Sequence, residues 1–305
     1  MSKIKTAIKQ LWTDRGEFMA SIISNFFRWL PDATYLKLLY RFKMGHRLDL
    51  KNPQNFTEKL QWLKLYNRKP EYTKMVDKYA VKEYVAKKIG EEYIIPTLGV
   101  WDKPEDIDWV SLPNKFVLKT THGGGGGGVV ICKDKATFDK TTAIAKLKES
   151  MASDIYSYLR EWPYKNVPKR IIAEKFLAPE KSPALKDLPD YKFFCFNGKV
   201  NFFKVDFGRF VEHHANYYDT DGNLLPFGEK SFEPDPNYII ELPNNLRDMI
   251  ALAERLSKNE PFLRVDFYNV NGKIFFGELT FYPASGMGKW TTEEADVKIG
   301  KYMKI

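Results

Sequence analysis

Cysteine is nearly absent from this 305-residue chain: only Cys132 and Cys195 occur, each inside an apolar run that reads as a strand. Two such thiols make no disulfide framework, and the expectation is a protein of a reducing compartment, the cytoplasm. No apolar segment approaches the roughly 18 uninterrupted residues of a membrane span. Residues 1–10 are basic, but no apolar stretch with a small-residue cleavage site follows, so no secretory signal is expected. Two signatures of nucleotide and acyl chemistry are missing as well. No Gly-Lys-Ser/Thr closes a phosphate loop, and no Gly-x-Ser-x-Gly elbow presents a nucleophilic serine. Histidine is scarce, with four in the chain. His213 and His214 are adjacent and would point to opposite faces of a strand, which disfavours a zinc site.

What is present is globular: 44% hydrophobic and 15% aromatic residues, with a formal net charge of +9. Residues 1–50 hold nine Lys/Arg against four Asp/Glu, a net +5. In that segment Phe18, Met19, Ile22, Ile23, Phe26, Phe27 and Leu30 recur at helical spacing. Such a stripe either packs on the protein's own core, the commoner outcome, or lies on an anionic membrane surface. Nucleic acid is not an expected partner, because no recognition motif occurs and the basic residues are not interleaved with stacking aromatics.

Residues 1–90 read as helical, broken near Pro31, Asn52-Pro53 and Pro70. A helix begins at Phe56 with Asn55 or Thr57 as cap, and another spans 76–89 up to Gly90. Strands are expected at 93–95, 98–101 and 115–119, and helix over 136–160. From Ile171 onward strands alternate with turns, with a helix over 245–258. Asn197-Gly198 and Asn271-Gly272 each lie between apolar runs, a strong hairpin signal. The pattern is α+β, antiparallel sheets covered by helices on one side.

Two features carry chemistry. Phe116-Val117-Leu118-Lys119-Thr120-Thr121-His122 leads into six glycines, Gly123, Gly124, Gly125, Gly126, Gly127 and Gly128, and then Val129-Val130-Ile131. Glycine gives up packing and backbone entropy, so such a run inside a strand pair points to close backbone approach to phosphate rather than to a linker. Downstream, Arg264-Val265-Asp266 and Gly277-Glu278-Leu279-Thr280 flank the Asn271-Gly272 turn. Simple hairpin pairing sets Asp266 near Gly277 and Glu278 near Val265, to within a residue. Two carboxylates so close repel unless a cation lies between them, and Mg²⁺ carrying nucleotide phosphates suits them. Cradle and carboxylates together imply a nucleotide-using enzyme.

With these residues assembled, the chain resembles the ATP-grasp superfamily, and within it the TupA-like group associated with teichuronopeptide and capsular-polysaccharide biosynthesis. The resemblance runs from about Asn52 onward. It implies two α+β subdomains whose antiparallel sheets clasp ATP. The helical region at 1–75 departs from the open α/β domain common ahead of ATP-grasp domains and is a candidate contact for membrane or substrate. The catalytic region would be 76–305, with a glycine-loop part at about 92–175 and a metal-binding part at about 176–305.

By resemblance, Lys78 and Lys119 supply phosphate contacts. Glu174, Lys175, Phe176 and Leu177 form the hinge beside adenine, and Asp190 or its rival Glu180 takes the ribose. Lys192 contacts phosphate, Arg264 holds the transferring phosphate, and Asp266, Glu278 and Thr280 hold Mg²⁺. Thr280 stands where many relatives have Asn. Lys119, Lys192 and Arg264 are the catalytic cations. Ser285 and Gly286 border the acceptor site, and Arg209 and His213 are candidate substrate contacts, with Arg160, Lys165 and Asn216 behind them. The implied reaction joins a carboxylate to an amine through an acyl phosphate. The partners would be a carbohydrate or lipid-linked glycan precursor and an amino acid or peptide, at or near the inner face of the membrane. Phosphate transfer to a sugar hydroxyl is the alternative.

Overall fold

The structure is a computed structural model that describes residues 15–124, 127–178, 188–208 and 212–305. It opens with a helical layer. The first helix, α1 (Arg15–Phe26), and α2 (Asp32–Met44) form a hairpin whose interior is Ala20, Ile23, Tyr35, Leu36, Leu39 and Tyr40. The helical stripe of the sequence thus divides: Ile23 is buried against α2, whereas Phe26 at the end of α1 is exposed. Helix α3 (Phe56–Tyr66) starts at Asn55, where the Glu58 carboxylate accepts from the backbone N–H of Gln54 at 3.0 Å and of Asn55 at 3.2 Å. That carboxylate satisfies donors the first helical turn leaves open.

The helix expected over 76–89 is two helices, α4 (Glu71–Val76) and α5 (Ala80–Ile89). Asp77 breaks them apart. Its Oδ1 accepts from the N–H groups of Tyr79 and Ala80, and its Oδ2 pairs with Arg170 at 2.7 Å. The strand expected at 93–95 is absent. A 3₁₀ turn occupies Glu91–Tyr93 and the chain first pairs at β1 (Thr97–Trp101), because Pro96 has no N–H to give a ladder.

One sheet has four antiparallel strands in the order β1-β4-β2-β3, adding β2 (Phe116–Thr120), β3 (Val129–Cys132) and β4 (Ile171–Lys175). Helices α6 (Lys140–Ala152) and α7 (Ile155–Leu159) replace the single helix expected over 136–160. Asp154 caps the second, accepting from the Ser157 N–H at 3.1 Å.

The larger sheet is β7-β6-β5-β8-β9, built from β5 (Asp190–Phe196), β6 (Lys199–Phe207), β7 (His214–Tyr218), β8 (Phe262–Val270) and β9 (Lys273–Thr280), all antiparallel. Asn197-Gly198 (φ 50° and 78°) and Asn271-Gly272 (φ 52° and 80°) are both left-handed pairs, the geometry of a two-residue hairpin. Helix α8 (Leu246–Ser257) covers one face with Met249, Leu252, Ala253 and Leu256.

The other face is split. Near the hairpin turn of β5 and β6, Phe194, Phe196, Phe202 and Phe262 pack on Phe56 of α3, with ring centroids of Phe56 and Phe262 5.0 Å apart. Further along the same strands it carries charge. The helices from Phe56 onward share one core with this sheet, so packing does not divide the chain at residue 75. A last helix, α9 (Glu293–Gly300), docks on α3, where Asp296 accepts from the Thr57 hydroxyl at 2.6 Å.

Candidate nucleotide and metal site

The charged half of the large sheet follows from register. Tyr217, Lys204, Lys192, Asp266 and Glu278 stand opposite one another in turn across β7, β6, β5, β8 and β9. Asp266 faces Glu278 directly, one residue away from the simple pairing, because the ladder shifts between Asp266 and Phe267. Gly277 makes room for that irregularity, since a Cβ there would meet the Asp266 carbonyl oxygen at 3.1 Å.

Arg264 binds this pair. Its Nε donates to Asp266 Oδ1 at 2.7 Å, and its Nη2 donates to Asp266 Oδ2 at 2.7 Å, Glu278 Oε1 at 2.9 Å and Thr280 Oγ1 at 3.0 Å. Lys192 bonds Asp190 and lies 2.9 Å from Asp266 Oδ2 and 3.5 Å from Asp206. Burial works against the charge of Glu278, but Arg264, Lys78 and Lys192 outweigh it and hold its carboxyl at about 2. Burial likewise opposes the Lys192 charge, and Asp190 and Asp266 reverse that and push its pKa up.

The four-stranded sheet supplies the opposing wall. Lys119 on β2 and Lys82 on α5 both pair with Glu174 on β4, at 2.6 and 2.5 Å. Lys78 donates to the Gly123 carbonyl, and its backbone N–H binds the Thr121 carbonyl at 3.0 Å. These three lysines and Glu174 line a narrow cleft with Ile94, Ile95, Phe276 and Gly277, so the two sheets meet there. Three ammonium groups face one carboxylate, which suits a polyanion. Burial pushes the pKa of Lys78 and Lys82 down, whereas Glu174 overcomes burial at Lys119 and raises it. A groove of about 650 Å³ lies elsewhere, between the β5–β6 turn and the end of α8, and includes none of these residues.

Antiparallel β2 and β3 flank the glycine run, so the element that follows it is a strand, not a helix. Gly128 is required by its neighbours: a Cβ would fall 2.1 Å from Thr120 Oγ1 and 2.3 Å from Ser150 Oγ, which bond each other at 2.7 Å. Gly124 and Gly127 have freer surroundings, and Gly125 and Gly126 lie outside the described residues, as do Glu180 and Arg209. Lys175 is exposed at the end of β4, with its N–H bound to Pro96 O at 3.0 Å; Phe176 and Leu177, half-buried, follow it out of the sheet.

The predicted substrate residues scatter. Ser285 and Gly286 sit in a left-handed stretch, Ala284 (φ 47°), Ser285 (φ 54°) and Gly286 (φ 64°), packed against α3. Lys64, fully buried, donates to Ser285 O, Ser285 Oγ and Leu159 O, each at 2.8 Å, while Gln61 donates to Gly286 O at 2.7 Å. Burial pushes the Lys64 pKa down to about 8.

His213 bonds Asp206 at 3.1 Å, and its ring centroid is 3.9 Å from that of Phe232. His214 turns elsewhere, to the Glu233 carbonyl at 2.8 Å. Lys165 is exposed, 5.0 Å from the Tyr156 ring. Arg160 and Asn216 are not available to a substrate. Arg160 is buried between Asp32, the Tyr35 ring and the Arg28 carbonyl, and Asn216 is fully buried, bonding the backbone of Asp235. The Asp-x-Asp pair Asp219 and Asp221 belongs to a turn: Asp219 accepts from the N–H groups of Asp221 and Asn223, and Asp221 pairs with Arg247.

Lys82, Lys64, Lys204 and Asp206 escaped the sequence reading. Only Lys82 had a local signal, standing four residues beyond Lys78; the others are defined by strand register and long-range packing.

The sequence profile of the TupA-like ATP-grasp family matches residues 58–304. The chain belongs to that family. Among curated proteins there is no significant match. Solved ATP-grasp structures are similar at low identity. D-alanine–D-alanine ligase from Bacillus anthracis complexed with ATP is 16% identical (TM-score 0.39), the match covering 68% of this chain and 53% of that one. An L-amino acid ligase from Bacillus licheniformis is 14% identical (TM-score 0.44), covering 75% and 49%. This TupA-like chain therefore spans about half the length of those two ligases.

ATP-grasp enzymes use ATP and Mg²⁺, and the residues here fit a magnesium ion of that kind. Three hard oxygen donors, from Asp266, Glu278 and Thr280, converge on the single Arg264 Nη2 atom. Among the described residues no group of three or more His, Cys, Asp or Glu could hold a metal alone. Such a donor set suits an ion completed by phosphate oxygens and water, not a protein cage.

Proposed function

We propose that this TupA-like protein is an ATP-dependent carboxylate–amine ligase acting through an acyl phosphate. The observation that carries the reading is the Asp266–Glu278 pair, forked by Arg264 and facing the lysine-lined cleft across the sheet junction. Lys78, Lys82 and Lys119 bind the nucleotide phosphates, the backbone of the glycine hairpin approaches them, and residues 174–177 border the base. Asp266 and Glu278, with Thr280, hold Mg²⁺, which when bound neutralises charge on the phosphates. A substrate carboxylate oxygen attacks the γ-phosphorus, and the bond to the bridging oxygen of ADP breaks. Arg264 and Lys192 counter the charge on the oxygens of the moving phosphoryl group. The amine nitrogen then attacks the acyl carbon, phosphate leaves and the nitrogen loses a proton. No protein nucleophile is needed.

The substrate side rests on the family's association with polysaccharide biosynthesis. We infer that an amino acid or short peptide is joined to a uronic-acid or amino-sugar unit of a cell-surface polymer precursor, in the cytoplasm or at the inner membrane face. Ser285 and Gly286, braced by Lys64 and Gln61, border the acceptor, and His213 lies at the far end of the charged row. The test crosses uronic-acid sugars with amino acids in the presence of MgATP and reads ADP together with product mass. ADP with a product lighter than its two substrates by one water is the expected result. ADP with a product heavier by a phosphoryl group would overturn the ligase in favour of a kinase.

A further inference from the structure

The α1–α2 hairpin ends in a tip whose aromatic side chains face solvent. Phe26 is 73% exposed, Trp29 75% and Phe27 38%, while the same hairpin buries Ala20, Ile23, Tyr35, Leu36, Leu39 and Tyr40. Scattered exposed apolar residues are ordinary, but three large aromatics within four positions at one turn form a patch. The rings of Phe27 and Trp29 lie 6.5 Å apart.

The tip is braced from behind. Arg28 points inward, its guanidinium 3.6 Å over the Tyr158 ring, and Arg160 donates to the carbonyls of Arg28 and Leu30. The backbone is held so that Phe26 and Trp29 project.

Charge names the occupant. On the outer face of α2, Lys37 and Arg41 are exposed beside Leu38. The acids of this hairpin are already used, Asp32 by Arg68 and Arg160 and Glu17 by Lys43. Aromatic rings at a tip flanked by lysine and arginine match a bilayer interface carrying anionic headgroups. We propose that this tip docks the protein on such a surface, Phe26, Phe27 and Trp29 entering the interface while Lys37 and Arg41 meet the headgroups.

The docking stands whether or not the protein is a ligase. If the ligase reading holds, one more consequence follows. The segment that braces the tip also reaches the acceptor loop, because Leu159 O shares the Lys64 ammonium with Ser285. A lipid-borne acceptor held at the membrane would then arrive beside Ser285.

The test sediments the full chain with vesicles of phosphatidylcholine alone and of phosphatidylcholine and phosphatidylglycerol at roughly 3:1. At about 1 kcal/mol per basic residue near an anionic surface, one effective contact gives roughly 5-fold more binding to the mixed vesicles. Phe26→Ser with Trp29→Ser should reduce binding to the level on phosphatidylcholine, with melting temperature and nucleotide affinity unchanged. Should that variant fold poorly, Lys37→Glu with Arg41→Glu on the exposed helix face should lower binding to mixed vesicles instead. Equal binding by wild type and variants, equal binding to both vesicle types, or none to mixed vesicles would overturn the proposal. So would a concentration-dependent dimer in vesicle-free solution that the Phe26/Trp29 variant abolishes, since a second copy of the chain would then be the occupant.

Discussion

At the scale of residues, the site is a balance of buried and half-buried charges, and each can be removed singly. Glu278 is held ionised far below neutral pH by Arg264, Lys78 and Lys192 acting against burial. Glu278→Gln should therefore keep the shape, lose the charge and lower turnover by roughly 10²–10³, the scale for removing one preorganised electrostatic contact. Steady-state ADP release measures it, and a change below a few-fold would contradict the metal-binding role.

Lys64 makes a different prediction. Its folded pKa of about 8 lies below the ordinary 10.5, so between those values the unfolded chain holds the extra proton. Stability then rises with pH across that window, and the cost of burying the charge persists in full below it. Relative to Lys64→Met, the wild type should gain on the order of 1–3 kcal/mol between pH 7.5 and 10.5. Chemical denaturation of both proteins across that range tests it, and a flat difference would show that the ammonium is not the titrating group.

The nucleotide and metal candidates were legible because glycine, lysine and acid motifs are local patterns. Lys64 was not, because its three acceptors lie on Leu159 and Ser285, far away in sequence.

At the scale of elements, Asn-Gly turns fixed two hairpins, and both turn residues adopt the left-handed backbone that this dipeptide tolerates. Register was less legible. The irregularity at Asp266 moves Glu278 directly opposite it, a one-residue difference that depends on Gly277 and cannot be read from periodicity. The helix expected over 76–89 broke at Asp77 because its carboxylate caps the second helix and binds Arg170, a partner 93 residues away. Helix α3 is bound to the sheet by Phe56, whose ring meets those of Phe196 and Phe262 edge-on, with Trp290 tilted beside it. Phe56→Ala should cost about 3–5 kcal/mol, and thermal or denaturant unfolding should show one transition, since helix and sheet share a core. Two separate transitions would mean that the helical layer folds apart from the sheet.

At the scale of the whole molecule, two antiparallel sheets meet at a cleft with Lys78, Lys82, Lys119 and Glu174 on one wall and Phe276 and Gly277, next to Glu278, on the other. Among the described residues no helix is long and apolar enough to cross a membrane. A non-hydrolysable MgATP analogue that bridges both walls should stabilise the fold by about 2.7 kcal/mol at a concentration 100 times its Kd. The shift should depend on Mg²⁺ and be lost in Lys119→Ala. A shift unchanged by that substitution or by chelation would place the nucleotide elsewhere.

In the proposed reaction a carboxylate oxygen of the substrate attacks the γ-phosphorus. Once an active pair is found, the carboxylate substrate is supplied with ¹⁸O in its carboxyl group and the phosphate released with ADP is weighed. One ¹⁸O is expected in each phosphate, carried over when the amine displaces it from the acyl carbon. Phosphate free of ¹⁸O, with amide still formed, would contradict it.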